Sequence, residues 1–206
     1  ALFMVILFTL LSKILFAAVH TMPLLGALHL TAAFLYGVHD RNYDWEYSMM
    51  TVYLSLLSAF FFTHTVRVVL WIAIELGAKW GFMGRREEGR YNWDTSSYAQ
   101  KWELYQILTW VRRFGRLNLM EFIAGTPFLS DFLRAQGAQI GRDCCLYPAG
   151  ADPYPPEPDL ITMGDRCAVD CASIVAHLNT RGNFELAKVV LESHVTLRSR
   201  ARIQQG

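Results

Sequence analysis

Formal charge is nearly missing from the first part of this chain. Residues 1–80 hold eight Asp, Glu, Lys or Arg residues, against twenty-nine in residues 81–206. A chain that is 53% hydrophobic and only 18% charged is neither disordered nor an ordinary soluble domain throughout. Its net charge of +1 gives no general attraction for polyanions, so no nucleic acid partner is expected. No Gly-x-Ser-x-Gly turn, phosphate loop or dinucleotide fingerprint occurs, so neither ATP nor NAD is expected to bind here. No basic leader precedes the first apolar stretch and that stretch is too long, so a secretory signal is not expected. Cysteine is limited to Cys144, Cys145, Cys167 and Cys171. One pair is adjacent and the other is separated by three residues, unlike the paired Cys-x-x-Cys sets of zinc sites, so no metal is expected. A disulfide framework does not suit a segment expected in the cytosol.

What replaces charge is apolar length. Residues 1–38 carry one formal charge, Lys13, with His20 and His29. The polar segment HDRNYDWEYS follows, and a second apolar run covers about 48–80, interrupted by Arg67 and Glu75. A spanning helix needs about 20 apolar residues. The first run suffices for two short crossings around Pro23 and Gly26, the preferred reading, or for one long broken helix. Two or three spanning helices are therefore expected in residues 1–80. Asp40, Asp44 and Glu46 outweigh Arg41 on one flank, while Lys79, Arg85, Arg86 and Arg90 outweigh Glu87 and Glu88 on the other. The second flank, and all that follows it, is expected in the cytoplasm. Lys13, Arg67, Glu75 and the histidines His20, His29, His39 and His64 mark a transport path, or else snorkel and face partner helices.

Residues 81–136 read as a cytoplasmic connector. Asp94, Thr95 or Ser96 caps a helix whose Tyr98, Trp102, Tyr105, Leu108 and Val111 recur near helical spacing. Trp93, Trp102 and Trp110, with Arg112, Arg113 and Arg116, fit a helix on the membrane surface or one packed on the next domain. A second helix is expected over 128–136, stopped by Gly137.

From Ile140 the period changes to six. Ile140 and Leu146 keep this interval, as do Met163, Val169 and Val175, and Leu191, Leu197 and Ile203. Small side chains tend to follow four residues later, at Cys144, Cys167, Ser173, Val195 and Ala201. The pattern predicts a left-handed parallel β-helix beginning at 137–206, with each aliphatic turned inward and a small residue in the second inward position. Cys144 and Cys167 then serve as small core residues. Two insertions, 147–159 (proline-rich) and 178–186, interrupt the repeat; such loops gather binding and catalytic groups. The apolar start at Ala1 and the stop at Gly206 within the repeat are expected of a piece cut from a longer polypeptide.

The stretch GTPFLSDFLRAQGAQIGRDCCLYP resembles the entry of the hexapeptide-repeat domains in poly-lysine synthetase-like proteins, which are nonribosomal-peptide-synthetase-like enzymes. Gly125, Thr126, Pro127, Leu133, Arg134, Gly137, Ala138, Ile140 and Gly141 carry the resemblance. Upstream, Lys79, Trp80, Gly84, Arg85, Gly89, Arg90 and Tyr91 resemble the family's basic exit from its last membrane helix. The chain departs from the pattern in its proline-rich loop and in lacking Gly after Val169 and Val175. The resemblance implies upstream adenylation and carrier domains, with ATP used only there, and tandem β-helix domains that join aminoacyl units. It also implies a His near the end of an early coil, followed by an inserted loop, a position His177 fills.

In hexapeptide acyltransferases such a His is a general base, and its ordinary pKa near 6.5 suits that work. Asp170, Asn179 or Glu185 is expected to orient His177, with Arg181 in the same substrate loop. His194 is read as an outward side chain. The expected activity is transfer of a carrier-bound phosphopantetheine or CoA thioester to an amine or hydroxyl acceptor, with no cofactor in this fragment. The expected partners are membrane lipid, the carrier domain and downstream β-helix coils. The alternative is a non-catalytic β-helix scaffold or docking module on a membrane anchor.

Overall fold

The computed structural model describes residues 2–41, 49–114, 123–147 and 155–204. The chain divides into two compact units, Ala1–Ala73 and Ile74–Gly206.

The first unit is built from α1 (Leu2–Arg41) and most of α2 (Met49–Ala78). Two segments, Phe3–Gly37 and Met50–Met83, are long and apolar enough to cross a membrane. The first run is one helix with Pro23 inside it, rather than two short crossings. Proline removes one backbone donor and crowds the carbonyls of the preceding turn. Arg67 answers this: its Nε donates to the His20 carbonyl at 3.0 Å, and Nη2 donates to the same oxygen. Thr63 Oγ1 lies 3.5 Å from the Pro23 carbonyl. Arg67 therefore does not snorkel. It is buried and spends its donors on backbone one turn from the proline, a known way of satisfying a broken helix in lipid. Phe16 packs edge-on against the fully buried Trp71 at 5.9 Å. The polar segment around 40–46 lies largely outside the described residues.

In the second unit the end of α2 widens into a π turn, Lys79–Met83, and β1 (Gly89–Asn92) follows. Asn92 Oδ1 accepts the Asp94 and Thr95 amides, and Ser96 Oγ accepts that of Ala99, so Ser96 caps α3 (Ser97–Phe114). Ala99, Tyr105 and Leu108 are buried along its inner stripe. The side chains of Trp110, Val111, Arg112 and Arg113, and Arg116, lie outside the described residues. α4 (Pro127–Ala135) buries Leu129, Phe132 and Leu133. It ends where Gly137 adopts a φ of 106°, and a Cβ there would meet Asp159 Cβ at 2.8 Å. Only glycine serves both demands.

The strands that follow correct the main expectation. They are β2 (Gln139–Ile140), β3 (Cys145–Tyr147), β4 (Ile161–Met163), β5 (Ala168–Asp170), β6 (Ser173–Val175), β7 (His177–Thr180), β8 (Asn183–Leu186), β9 (Val189–Leu191), β10 (Thr196–Leu197) and β11 (Arg202–Gln204). They form separate small sheets: β2-β4-β9, β3-β5-β10 and β6-β11 are parallel, and β1-β8-β7 is antiparallel. No left-handed β-helix is seen among the described residues. The six-residue interval records one inward aliphatic per short strand, and separate parallel sheets meet that requirement without a continuous solenoid. Leu146, Met163, Val169, Leu191 and Leu197 are buried as the interval requires. In β6 the register moves by one. Ala172, Ile174 and Ala176 are buried and Val175 is not, directly after Cys171 takes a left-handed backbone at φ 47°. Close stacking explains Gly164, whose Cβ would come within 2.5 Å of the Ser193 amide nitrogen.

One ion cluster ties these parts together. Asp159 sits in a short 3-10 turn, Pro158–Leu160. Its Oδ2 receives Lys79 Nζ at 3.0 Å and the Arg86 amide at 2.6 Å, and its Oδ1 receives Arg86 Nη1 at 3.0 Å. The Lys79 ammonium also donates to the Gly84 carbonyl at 2.5 Å. All three side chains are essentially buried. Removing the anion would strand two cations out of water. Asp159→Ala should therefore cost about 3–5 kcal/mol, read as a lowered denaturation midpoint of the detergent-solubilised chain by tryptophan fluorescence; an unchanged midpoint would contradict the clamp.

Candidate functional site

His177 opens β7, and its ring lies between the hairpin β7–β8, α3 and the 3-10 turn. In the antiparallel ladder His177 pairs with Leu186 and Asn179 with Phe184, so these four share one face. Trp102 of α3 packs on that face. Its ring centroid is 5.0 Å from that of His177 and 5.0 Å from that of Phe184, while Trp93 meets Phe184 at 5.4 Å. Phe184 is fully buried. Trp93 and Trp102 thus pack on the β-rich unit.

The decisive contact comes from the proline-rich insertion. Glu157, fully buried, lies with Oε1 3.0 Å and Oε2 3.1 Å from His177 Nδ1. Trp102 Nε1 donates to the same Oε1 at 2.7 Å. A carboxylate only accepts, so Nδ1 carries the proton and the lone pair of Nε2 is left for other work. No hydrogen bond engages Nε2 among the described residues, and the side chain is 23% exposed. Glu157 stands two residues before Asp159, so the ion cluster that fixes the turn also fixes this carboxylate.

The other expected site residues do not converge on His177. Asp170 accepts a hydrogen bond from Ser199 Oγ at 3.2 Å. Glu185 pairs with Arg90 at 3.1 Å, and the register places it opposite Leu178, on the sheet face away from His177. Asn179 shares the face of His177 but makes no described hydrogen bond to its ring. Arg181 occupies the exposed hairpin turn with φ 45°. His194 is also exposed, in a left-handed turn at φ 67°. Glu157 was the residue missed. Its signal was an acidic side chain inside an insertion already singled out as a place for functional groups.

The four cysteines are free thiols. The Sγ of Cys144 donates to the Gly164 carbonyl at 3.2 Å, and that of Cys167 to the Glu192 carbonyl at 3.0 Å. Burial pushes the Cys144 thiol up, away from reactive thiolate. Burial likewise raises the Tyr98 phenol, which stacks on Tyr91 at 4.7 Å. No group of three or more His, Cys, Asp or Glu side chains that could hold a metal occurs among the described residues.

Comparison with protein-family models, curated proteins and solved structures finds no match to this chain.

The dyad can be tested without an activity. The ¹⁵N shifts of the His177 ring should report the Nδ1–H tautomer in the wild type. Glu157→Ala should return the ring toward Nε2–H, the form free imidazole side chains prefer; an Nε2–H ring in both proteins would exclude the dyad.

Proposed function

We propose that the chain is a membrane-anchored acyl or aminoacyl transferase module of a larger nonribosomal-peptide-synthetase-like polypeptide. The observation that carries this reading is the pairing of His177 Nδ1 with buried Glu157, which leaves Nε2 open. A carboxylate behind a histidine fixes its tautomer and stabilises the imidazolium that forms when the ring takes a proton, the logic of hydrolase and transferase bases. The acceptor nitrogen or oxygen attacks the thioester carbonyl while Nε2 removes its proton. The C–S bond then breaks, the thiolate takes that proton from the imidazolium, and an amide or ester and a free thiol are released. Outward amides of β7, the edge strand of its sheet, are candidates to hold the oxyanion. The donor is a phosphopantetheine thioester on a carrier domain of the same polypeptide, or a CoA thioester. Trp102 is a positioning residue: its ring packs against the His177 imidazole and its indole N–H holds Glu157.

The anchor completes the reading. Large apolar side chains stand exposed along both long helices, among them Phe3 at 73% and Phe61 at 72%, surfaces that lipid accommodates and water does not. The flanking charges favour the cytoplasmic side for the unit Ile74–Gly206. Protease added to sealed, right-side-out vesicles should therefore cut the 40–46 segment and spare that unit; cleavage of both from one side would refute the orientation.

His177→Ala in the full-length protein should lower product formation by about 10²–10⁴-fold with folding and membrane insertion intact. The assay is mass spectrometry with amino acids, ATP and magnesium. Equal product from both proteins would move bond formation elsewhere and leave this chain a docking module.

A further inference from the structure

We infer that the acceptor used at His177 is amphiphilic: an amine or hydroxyl borne on a lipid headgroup and presented from the membrane surface. The inference rests on the reading of His177 as a base and of α2 as a membrane span.

Depth is the first argument. The apolar segment Met50–Met83 has 34 residues. At about 1.5 Å per residue it measures about 51 Å, against a hydrocarbon core of about 30 Å. With the excess shared between its two ends, its last two turns stand among headgroups. Trp80, 49% exposed, belongs to that layer, where tryptophan collects.

Connection is the second. Lys79, beside Trp80, is sealed onto Asp159, and Asp159 is two residues from Glu157, the partner of His177. Two residues span at most about 7 Å of backbone. The carboxylate that orients the reactive imidazole is thus fastened to the headgroup-level turn of the span by a buried ion pair. The reactive nitrogen is thereby tied to the last turns of the apolar segment through side chains of one compact unit.

A third observation concerns the surface beside the span. Trp80 Nε1 donates to the Ala135 carbonyl at 2.8 Å, which fastens the end of α4 to the same turn. Phe128, at the other end of this short helix, is 69% exposed. An apolar ring bared on a helix tied to a membrane-exit tryptophan suits shallow insertion between lipids. Arg85, next to the ion cluster, is exposed and supplies a cation for headgroup phosphate.

The chemistry follows from this placement. The lipid amine nitrogen attacks the thioester carbonyl and His177 Nε2 takes its proton. The C–S bond breaks, and the thiolate leaves with that proton, giving a lipid amide and a free thiol.

The test reconstitutes the full-length protein in phosphatidylcholine vesicles with or without phosphatidylethanolamine. It supplies a CoA or carrier-bound aminoacyl thioester and compares the lipid amine with soluble ethanolamine at equal bulk concentration. The lipid amine should be acylated at least about tenfold faster, and its rate should fall as phosphatidylcholine dilutes the surface at constant bulk amine. His177→Ala should abolish both reactions, and Phe128→Ser should slow only the lipid one. Equal or faster acylation of soluble ethanolamine, insensitive to surface dilution and lost in His177→Ala, would overturn the lipid acceptor and leave the base reading standing. Turnover unchanged in His177→Ala, or no transfer to either amine, would overturn both.

Discussion

The carboxylate of Asp159, held between two buried cations, is the constraint on which the β-rich unit depends. Two positive charges and one negative are enclosed together, an arrangement that is costly to create and more costly to break. Lys79 comes from the end of the long apolar helix, Arg86 from the turn after it, and Asp159 from the far end of the proline-rich insertion. One side chain thus joins segments more than seventy residues apart. Because Glu157 lies two residues away, the site inherits its rigidity from this cluster. The aromatic packing of Trp102, Phe184 and Trp93 then closes the other side of the imidazole, and Trp102 adds a hydrogen bond to the same carboxylate. A histidine so enclosed has little rotational freedom.

The first unit solves a different problem with the same economy. Pro23 disturbs hydrogen bonding in a helix long and apolar enough to cross a membrane, and Arg67 brings donors to the carbonyl of the preceding turn. The arginine that the sequence presents as a candidate for transport is engaged in backbone repair.

Much of the organisation was legible. The two apolar runs, Ser96 as a cap, Gly137 as a stop and the buried aliphatics at intervals of six all follow from local rules of spacing and conformation. His177 was legible because it precedes an insertion. The β-helix failed as a reading because periodicity counts inward side chains and is blind to how strands are grouped into sheets. Val175 failed because a left-handed residue at Cys171 shifted the register by one. Glu185 failed because an antiparallel ladder puts alternate residues on opposite faces. Glu157 is twenty residues from His177 along the chain, and only the ion cluster around Asp159 brings it back, an effect no short-range pattern records.

The parallel pairings also say where this architecture tolerates evolutionary drift in length. Gln139 meets Thr162 and Cys145 meets Ala168, an interval of 23 residues in both cases. The next step takes Met163 to Leu191 and Ala168 to Thr196, an interval of 28. Strands pair in the same fashion although the intervening chain differs by five residues, because the surplus is carried in loops and in the hairpin. An insertion at the exposed hairpin turn of Arg181 and Gly182 falls between strands, whereas a single residue added within a strand moves its buried side chains to the wrong face. His177 and Glu157 stand at the borders of the two segments that carry the surplus. Length can therefore change at the turn beyond His177 while the ladder that holds this residue keeps its register.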